Sequence, residues 1–376
     1  MLPSRKRSRS YDDVDGRDDD RGASEREFGD MPFVEEAEPG AFEPPQKLVA
    51  LHYNLRENQT KAARENSPII HLKKLNNWVK STLIRRYTSR GDAVLDLACG
   101  KGGDLLKWDK AQVSYYVGVD IAIGSLKDFQ VRYNGPSDHS RHWQPTKFPA
   151  KLICADCFEV SLEEPLKDDA PFDVCSCQFA LHYSFQTCER VETALRNVAS
   201  MLRPGGVFIG TMTDANVIVR KLREATTTLE FHNSVYGVRF GEAWADKKFA
   251  MDEPFGIEYQ FHLEDAVDCP EYLVPMQVLQ WKADQYDLDL EVKENFHEYI
   301  HKHCQEPENA ELMRKMGVLG NDKQGTVISE DEWDAAYLYL VFVFRKRGGR
   351  PRPQDQPRRD RGGFRIINVE DIVTLS

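Results

Sequence analysis

The stretch Val94-Leu95-Asp96-Leu97-Ala98-Cys99-Gly100-Lys101-Gly102-Gly103-Asp104 decides the fold. Its first half is a short apolar run of the kind that makes a buried strand, and its second half is a glycine turn at that strand's carboxyl end. In an open parallel sheet the ligand crevice lies beyond the carboxyl ends of the strands, where glycines let the backbone approach a ligand closely. Spacing then separates the candidate ligands. The run is not Gly-x-x-x-x-Gly-Lys-Ser/Thr, so a phosphate-cradling triphosphatase loop does not fit despite Gly100-Lys101. From Gly100 the glycines fall at +2 and +3 only, which is not Gly-x-Gly-x-x-Gly, and dinucleotide binding loses support.

Outward from this run, short β-branched strands alternate with longer helical stretches. Strands are expected at 93–97, 115–119, 152–155, 172–176 and 207–211, with two later strands, one at 337–344. A helix over 68–86 places Leu72, Leu75, Trp78, Val79 and Leu83 on one face, with Pro68 in its first turn. A further helix starts near Gly103. Crossover helices are expected at 124–133 and 187–202, the second stopped by Arg203-Pro204-Gly205-Gly206. The alternation predicts an α/β fold with a mostly parallel, seven-stranded sheet flanked by helices.

Acidic residues mark the strand ends. Asp96 ends the first strand, Asp120 the second, and Asp156 follows the third in Cys154-Ala155-Asp156-Cys157. Asp120 can accept from both hydroxyls of a ribose, and Asp156 from an adenine amine. A nucleoside without phosphate needs no anion cradle, whereas one carrying an ammonium and a sulfonium is favoured by nearby carboxylates. That ligand is S-adenosylmethionine, and the fold is then the Rossmann-like class I type of its methyltransferases. Taken singly, each aspartate also reads as a cap or turn residue.

The 376 residues are 41% apolar and 30% charged, enough for a substantial core, with a net charge of −11 that argues against a basic nucleic-acid coat. Charge is uneven. Residues 1–46 carry seven basic and thirteen acidic side chains and read as a disordered leader. Within it Arg5-Lys6-Arg7-Ser8-Arg9 reads as either a nuclear import signal or a solvated charge run. Residues 345–376 carry nine basic and four acidic side chains, with Arg347-Gly348-Gly349 and Arg361-Gly362-Gly363, a tail suited to RNA or simply solvated. Within this tail, 366–375 is more apolar and could dock. Residues 47–344 remain as the central domain. No apolar run is long enough to span a bilayer, and the leader lacks the centre of a signal peptide, so a soluble intracellular protein is expected. The eight cysteines are expected as free thiols.

After the fourth strand the chain reads Cys175-Ser176-Cys177-Gln178-Phe179-Ala180-Leu181-His182-Tyr183. It holds no Asn/Asp-Pro-Pro-Tyr/Phe clamp for an exocyclic amine and no Pro-Cys nucleophile for a pyrimidine. Aromatic stacking on a planar purine remains, and a purine nitrogen that already carries a lone pair needs no general base. A zinc reading of Cys154-x-x-Cys157 and Cys175-x-Cys177 is weaker, because the latter pair shares one strand face as core thiols do. No metal is expected.

With these residues in hand, the chain resembles the eukaryotic, fungal-like mRNA cap guanine-N7 methyltransferases over about 49–344. The resemblance rests on Leu75-Asn76-Asn77-Trp78-Val79-Lys80, on 95–108, on Cys175-Ser176-Cys177-Gln178-Phe179, on His182-Tyr183-Ser184-Phe185, on Pro270-Glu271-Tyr272-Leu273-Val274 and on Tyr339-Leu340-Val341-Phe342. It implies that Lys80, Asp96, Ala98, Asp120, Asp156, Gln178 and Tyr183 hold S-adenosylmethionine, with Lys80 on the methionine carboxylate. It likewise implies that Asn76, Asn77, Lys101, Lys107, Arg132, Phe179, His182, Glu271 and Tyr339 surround the cap, the cations facing its triphosphate bridge. Glu271 would accept from guanine N1–H and the N2 amine. His182, Tyr183 and Glu271 would position rather than exchange protons. The implied partner is the capped 5′ end of nascent mRNA, with the capping and transcription machinery, in the nucleus.

Two positions depart from the family pattern. Ala98 stands where glycine is usual, and Thr213 where a proline usually packs on the guanine. Two other functions compete: the same fold acting on another base or small molecule, and a non-catalytic cap or RNA adaptor suggested by the Arg-Gly-Gly tail.

Overall fold

The apolar runs become strands buried on both faces in the computed structural model, which describes residues 45–55, 65–135, 148–250, 252–318, 328–349 and 362–375. These residues belong to one unit, Pro44–Ser376. In chain order they form α1 (Pro45–Leu55), α2 (Ile70–Tyr87), β1 (Ala93–Leu97), α3 (Leu105–Ala111), β2 (Tyr115–Asp120), α4 (Ile123–Asn134), β3 (Ala150–Cys154) and β4 (Phe172–Gln178). Next come α5 (Cys188–Met201), β5 (Leu202–Thr213), α6 (Ala215–Glu224), β6 (Glu230–His232), β7 (Tyr236–Phe240), β8 (Glu258–Leu263) and β9 (Val267–Tyr272). The rest are α7 (Met276–Asp284), β10 (Leu288–Asn295), α8 (Phe296–His303), α9 (Pro307–Lys315), α10 (Glu330–Ala336), β11 (Tyr339–Lys346) and β12 (Val373–Thr374).

The main sheet runs β10-β11-β5-β4-β1-β2-β3-β12, parallel except for β11, which is antiparallel to both its neighbours. It has eight strands where seven are expected from the sequence. Alternate residues of each strand enter separate cores. In β1, Val94 packs on the side of α2, α3 and α4, while Leu95 and Leu97 pack on the side of α5 and α7. Burial of both faces is why these strands read as unbroken apolar runs. Strand order reverses between β1 and β4, which opens a crevice at their carboxyl ends.

The long helix α2 starts at Ile70, two residues after the expected Pro68, and buries Leu72, Leu75, Trp78, Val79 and Leu83 as its spacing requires. No residue next to it caps its first turn. The carboxylate of Glu332, in α10, accepts from the backbone N–H of His71 (2.9 Å) and Leu72 (3.0 Å) and satisfies groups a helix start leaves open. The Arg203-Pro204-Gly205-Gly206 break behaves differently from expectation: it is a bulge inside β5, with Phe172 opposite Leu202 and Val174 opposite Val207. Gly206 is required there, since a Cβ would lie 2.9 Å from Arg203 O and 3.0 Å from Asp173 O.

A second, antiparallel sheet β6-β7-β8-β9 is not foreseen from the sequence. Its inward residues Tyr236, Val238, Phe240, Tyr259 and Phe261 join the core on the α2 side. The leader, including Arg5–Arg9, and residues 350–361 of the tail lie outside the described residues. Of the rest of the tail, Ile367 is buried and β12 pairs with β3 at the sheet edge, Val373 opposite Ile153. The eight cysteines are free, with Cys175 and Cys177 in one core as alternate residues of β4. Among the described residues no helix is long and apolar enough to cross a membrane.

Candidate active site

A cavity of about 500 Å³ opens at the carboxyl ends of β1, β2 and β4, within the range of small-molecule sites. Its base is the glycine turn. Gly100 and Gly102 have φ of +55° and +70°, and a Cβ on Gly102 would sit 2.7 Å from the Phe129 ring, so this turn needs glycine there on both counts. Ala98 adopts φ +54°, a left-handed backbone that favours glycine, while carrying a methyl group.

The acidic strand ends meet along one wall. Asp96 is buried and accepts from Tyr116 Oη (2.8 Å) and Trp108 Nε1 (3.3 Å). Burial, reinforced by the charge of Asp104, pushes its pKa up to about 7. Asp120 accepts from Gly100 N (2.7 Å) and Ala122 N (2.9 Å), one bond on each oxygen, while burial pushes its pKa up to about 6. A second lone pair on each oxygen remains for a pair of hydroxyls. Asp156 accepts from Phe158 N and from Arg190 Nη2, both at 2.9 Å. Gln178, at the end of β4, is fixed between Ser176 and Thr211. Burial disfavours the charged forms of Asp96 and Asp120 and a cation beside them favours those forms, so this wall fits a sulfonium nucleoside.

The cations are arranged differently from expectation. Asp104 binds Lys80 Nζ at 2.9 Å and Lys107 Nζ at 2.6 Å, and although burial opposes ionisation the two ammonium groups hold its pKa down to about 2. Lys107 also donates to Asn77 Oδ1 (2.8 Å). Lys80, Asn76 and Asn77 of α2 line the cavity, but Lys107 does not: its ammonium stands behind Asp104 and Asn77. Lys101, paired with Asp128 at 2.8 Å, and Arg132 line the same rim.

The opposite end is aromatic and nearly uncharged. Phe179, with φ +58°, presents its ring edge-on to Tyr339 at 5.1 Å. Such a backbone is strained for a bulky residue, and here it is tied by Phe179 N to Thr211 O at 2.8 Å. His182 lies in a short 3₁₀ turn, Leu181–Gln186, with neither ring nitrogen hydrogen-bonded. Its Nε2 is 3.4 Å from Glu271 Oε1. Burial drives the two apart in pKa, His182 down to about 3 and Glu271 up to about 8, so the imidazole is neutral. Tyr183 Oη contacts Cys269 Sγ (3.2 Å) and Tyr53 Oη of α1 (3.3 Å), closing the side of the cavity.

The structure therefore brings together every residue expected for cofactor and cap except Lys107. Sequence reading missed Asp104, Arg190, Tyr259 and the α1 residues Gln46 and Tyr53. Asp104 and Lys107 stand three apart at the start of α3, a legible pairing signal. Tyr259 sits in Glu258-Tyr259-Gln260-Phe261-His262-Leu263, whose alternation marks a half-buried strand. Arg190 carries no local signal. Among the described residues no three His, Cys, Asp or Glu side chains gather as a metal group.

Comparison with known proteins gives a match to the family described as mRNA (guanine-N(7))-methyltransferase domain over residues 40–347. The chain is 60% identical over 330 residues to mRNA cap guanine-N(7) methyltransferase 1 of Oryza sativa, covering 88% of this chain and 89% of that one. It is 56% identical to the Arabidopsis thaliana protein of the same name, covering 92% and 93%. The Schizosaccharomyces pombe mRNA cap guanine-N(7) methyltransferase is 39% identical, covering 81% and 83%.

Proposed function

The chain belongs to the mRNA (guanine-N7)-methyltransferase family, and from that premise we propose how its cavity divides between donor and acceptor. The protein is an enzyme that transfers a methyl group from S-adenosylmethionine to N7 of the guanosine capping mRNA. Asp120 takes the ribose hydroxyls, Asp156 the adenine amine, and Ala98, Gln178 and Tyr183 shape the remaining wall. Lys80 meets the methionine carboxylate, and Asp96 stands beside the methionine end. Because Lys80 and Lys107 share one carboxylate, one positive charge is left over for that anion. Lys107 supports Lys80 and Asn77 from behind.

Phe179 and Tyr339 flank the guanine, and Glu271 and His182 meet its polar edge. Asn76, Asn77, Lys101 and Arg132 line the way to the triphosphate bridge. S-adenosylmethionine supplies an electrophilic methyl group on a cationic sulfur. As the carbon–nitrogen bond forms and the carbon–sulfur bond breaks, positive charge passes to the purine, and no proton is lost. The residues therefore have only to align the lone pair, an orientation effect worth about 7–11 kcal/mol in well-arranged systems.

The observation that carries this reading is the pairing of an acidic strand-end wall with a buried, cation-free His182–Glu271 couple in one cavity. The nuclear compartment is supported by Arg5–Arg9 and by the substrate, and contact with the capping and transcription machinery by the nascent state of that RNA. The charged leader and basic Arg-Gly-Gly tail then flank a catalytic domain, the tail adding RNA affinity. With radiolabelled donor, label should appear on guanosine-capped RNA and not on the same RNA ending in triphosphate. Equal labelling of both overturns the assignment.

A further inference from the structure

Tyr259 of β8 and Glu271 of β9 are cross-strand partners, so their side chains share one face. Tyr259 Oη lies 2.9 Å from Glu271 Oε2 and 3.0 Å from Oγ1 of Thr213, the last residue of β5. All three are buried. A phenol has one proton and an ionised carboxylate can only accept, so whenever Glu271 is ionised that proton is committed to it. The Thr213 hydroxyl then completes the chain by donating to the phenol oxygen.

Among the described residues nothing else near Glu271 favours its charge. His182 faces Oε1 at 3.4 Å and is neutral, and Tyr183, Cys269 and Tyr339, the other titratable groups in its field, are held in their neutral forms by burial. Among the described residues no lysine or arginine pairs with it. We propose that Tyr259, itself held by Thr213, is the positioning residue that favours the ionised form of Glu271 against its burial and aims that carboxylate at the guanine edge. The proposal rests on the reading that Glu271 meets that edge. Without the Tyr259 bond, burial would push the Glu271 carboxyl still further above the usual carboxylate range. The acceptor form would then be lost at a higher pH than in the parent.

The test is kcat and KM for capped RNA as a function of pH in Tyr259→Phe, Thr213→Val and Glu271→Gln, with S-adenosylhomocysteine affinity measured by calorimetry. In Tyr259→Phe the acid limb of kcat/KM should move up by about one pH unit, the size expected for one hydrogen bond to a charged group. The loss should appear in KM for the cap, recover at alkaline pH, and leave cofactor affinity unchanged. Thr213→Val should shift the limb the same way by less. A merely structural role for Tyr259 would lower activity at every pH alike. An unmoved acid limb in both variants, with Glu271→Gln impaired, overturns the proposal while sparing the reading beneath it. Normal KM in Glu271→Gln removes that reading and the proposal together. Should Tyr259→Phe fail to fold, Thr213→Val decides alone.

Discussion

Ala98 and Phe179 hold left-handed backbones on either side of the cavity, and both carry side chains that disfavour it. For an L-residue this conformation costs roughly 1–2 kcal/mol, against about 0.5–1 kcal/mol of extra chain entropy that glycine would lose on folding. Ala98→Gly should therefore stabilise the fold by up to ~1 kcal/mol in urea titration. The departure at Ala98 was visible because a glycine is expected in that turn. The strain at Phe179 was not. Nothing in Gln178-Phe179-Ala180 announces a positive φ, which follows from the tie of its N–H to β5, a tertiary contact.

Asp104 fastens α3 to α2, since Lys80 comes from the middle of one helix and Lys107 from the first turn of the other. Both ammonium groups are largely buried, so removing their shared partner leaves two like charges unpaired at close range. Asp104→Ala should cost about 3–5 kcal/mol in urea unfolding, the range for breaking a buried ion pair by deleting one member. At this scale the sequence was a good guide to α2 and to strands β1–β5, because a strand covered on both faces has to be apolar throughout. It was a poor guide to β6–β9. β6 is only three residues long, the outer face of these strands is polar, and Pro270 interrupts β9 in a way that argues against a strand. Pro270 is tolerated because β9 is the edge of its sheet.

Across the whole molecule, the cavity joins two sets of residues remote in sequence. The acidic wall comes from 96–178 and is set by the strand order of the main sheet. Glu271 and Tyr259 arrive from the second sheet, and Tyr339 from β11, the antiparallel strand inside the main sheet, where it stands opposite Thr213. Strand-end aspartates could be read directly from the chain because parallel topology places every such end on one side. The placement of Glu271 could only be borrowed from resemblance, because it depends on how the second sheet seats against the first. The indole of Trp108, bonded to the Asp96 carboxylate, gives the donor half a built-in optical reporter. Its ultraviolet-excited emission should change when S-adenosylmethionine is titrated in, stay constant with a cap analogue alone, and lose that response in Trp108→Phe.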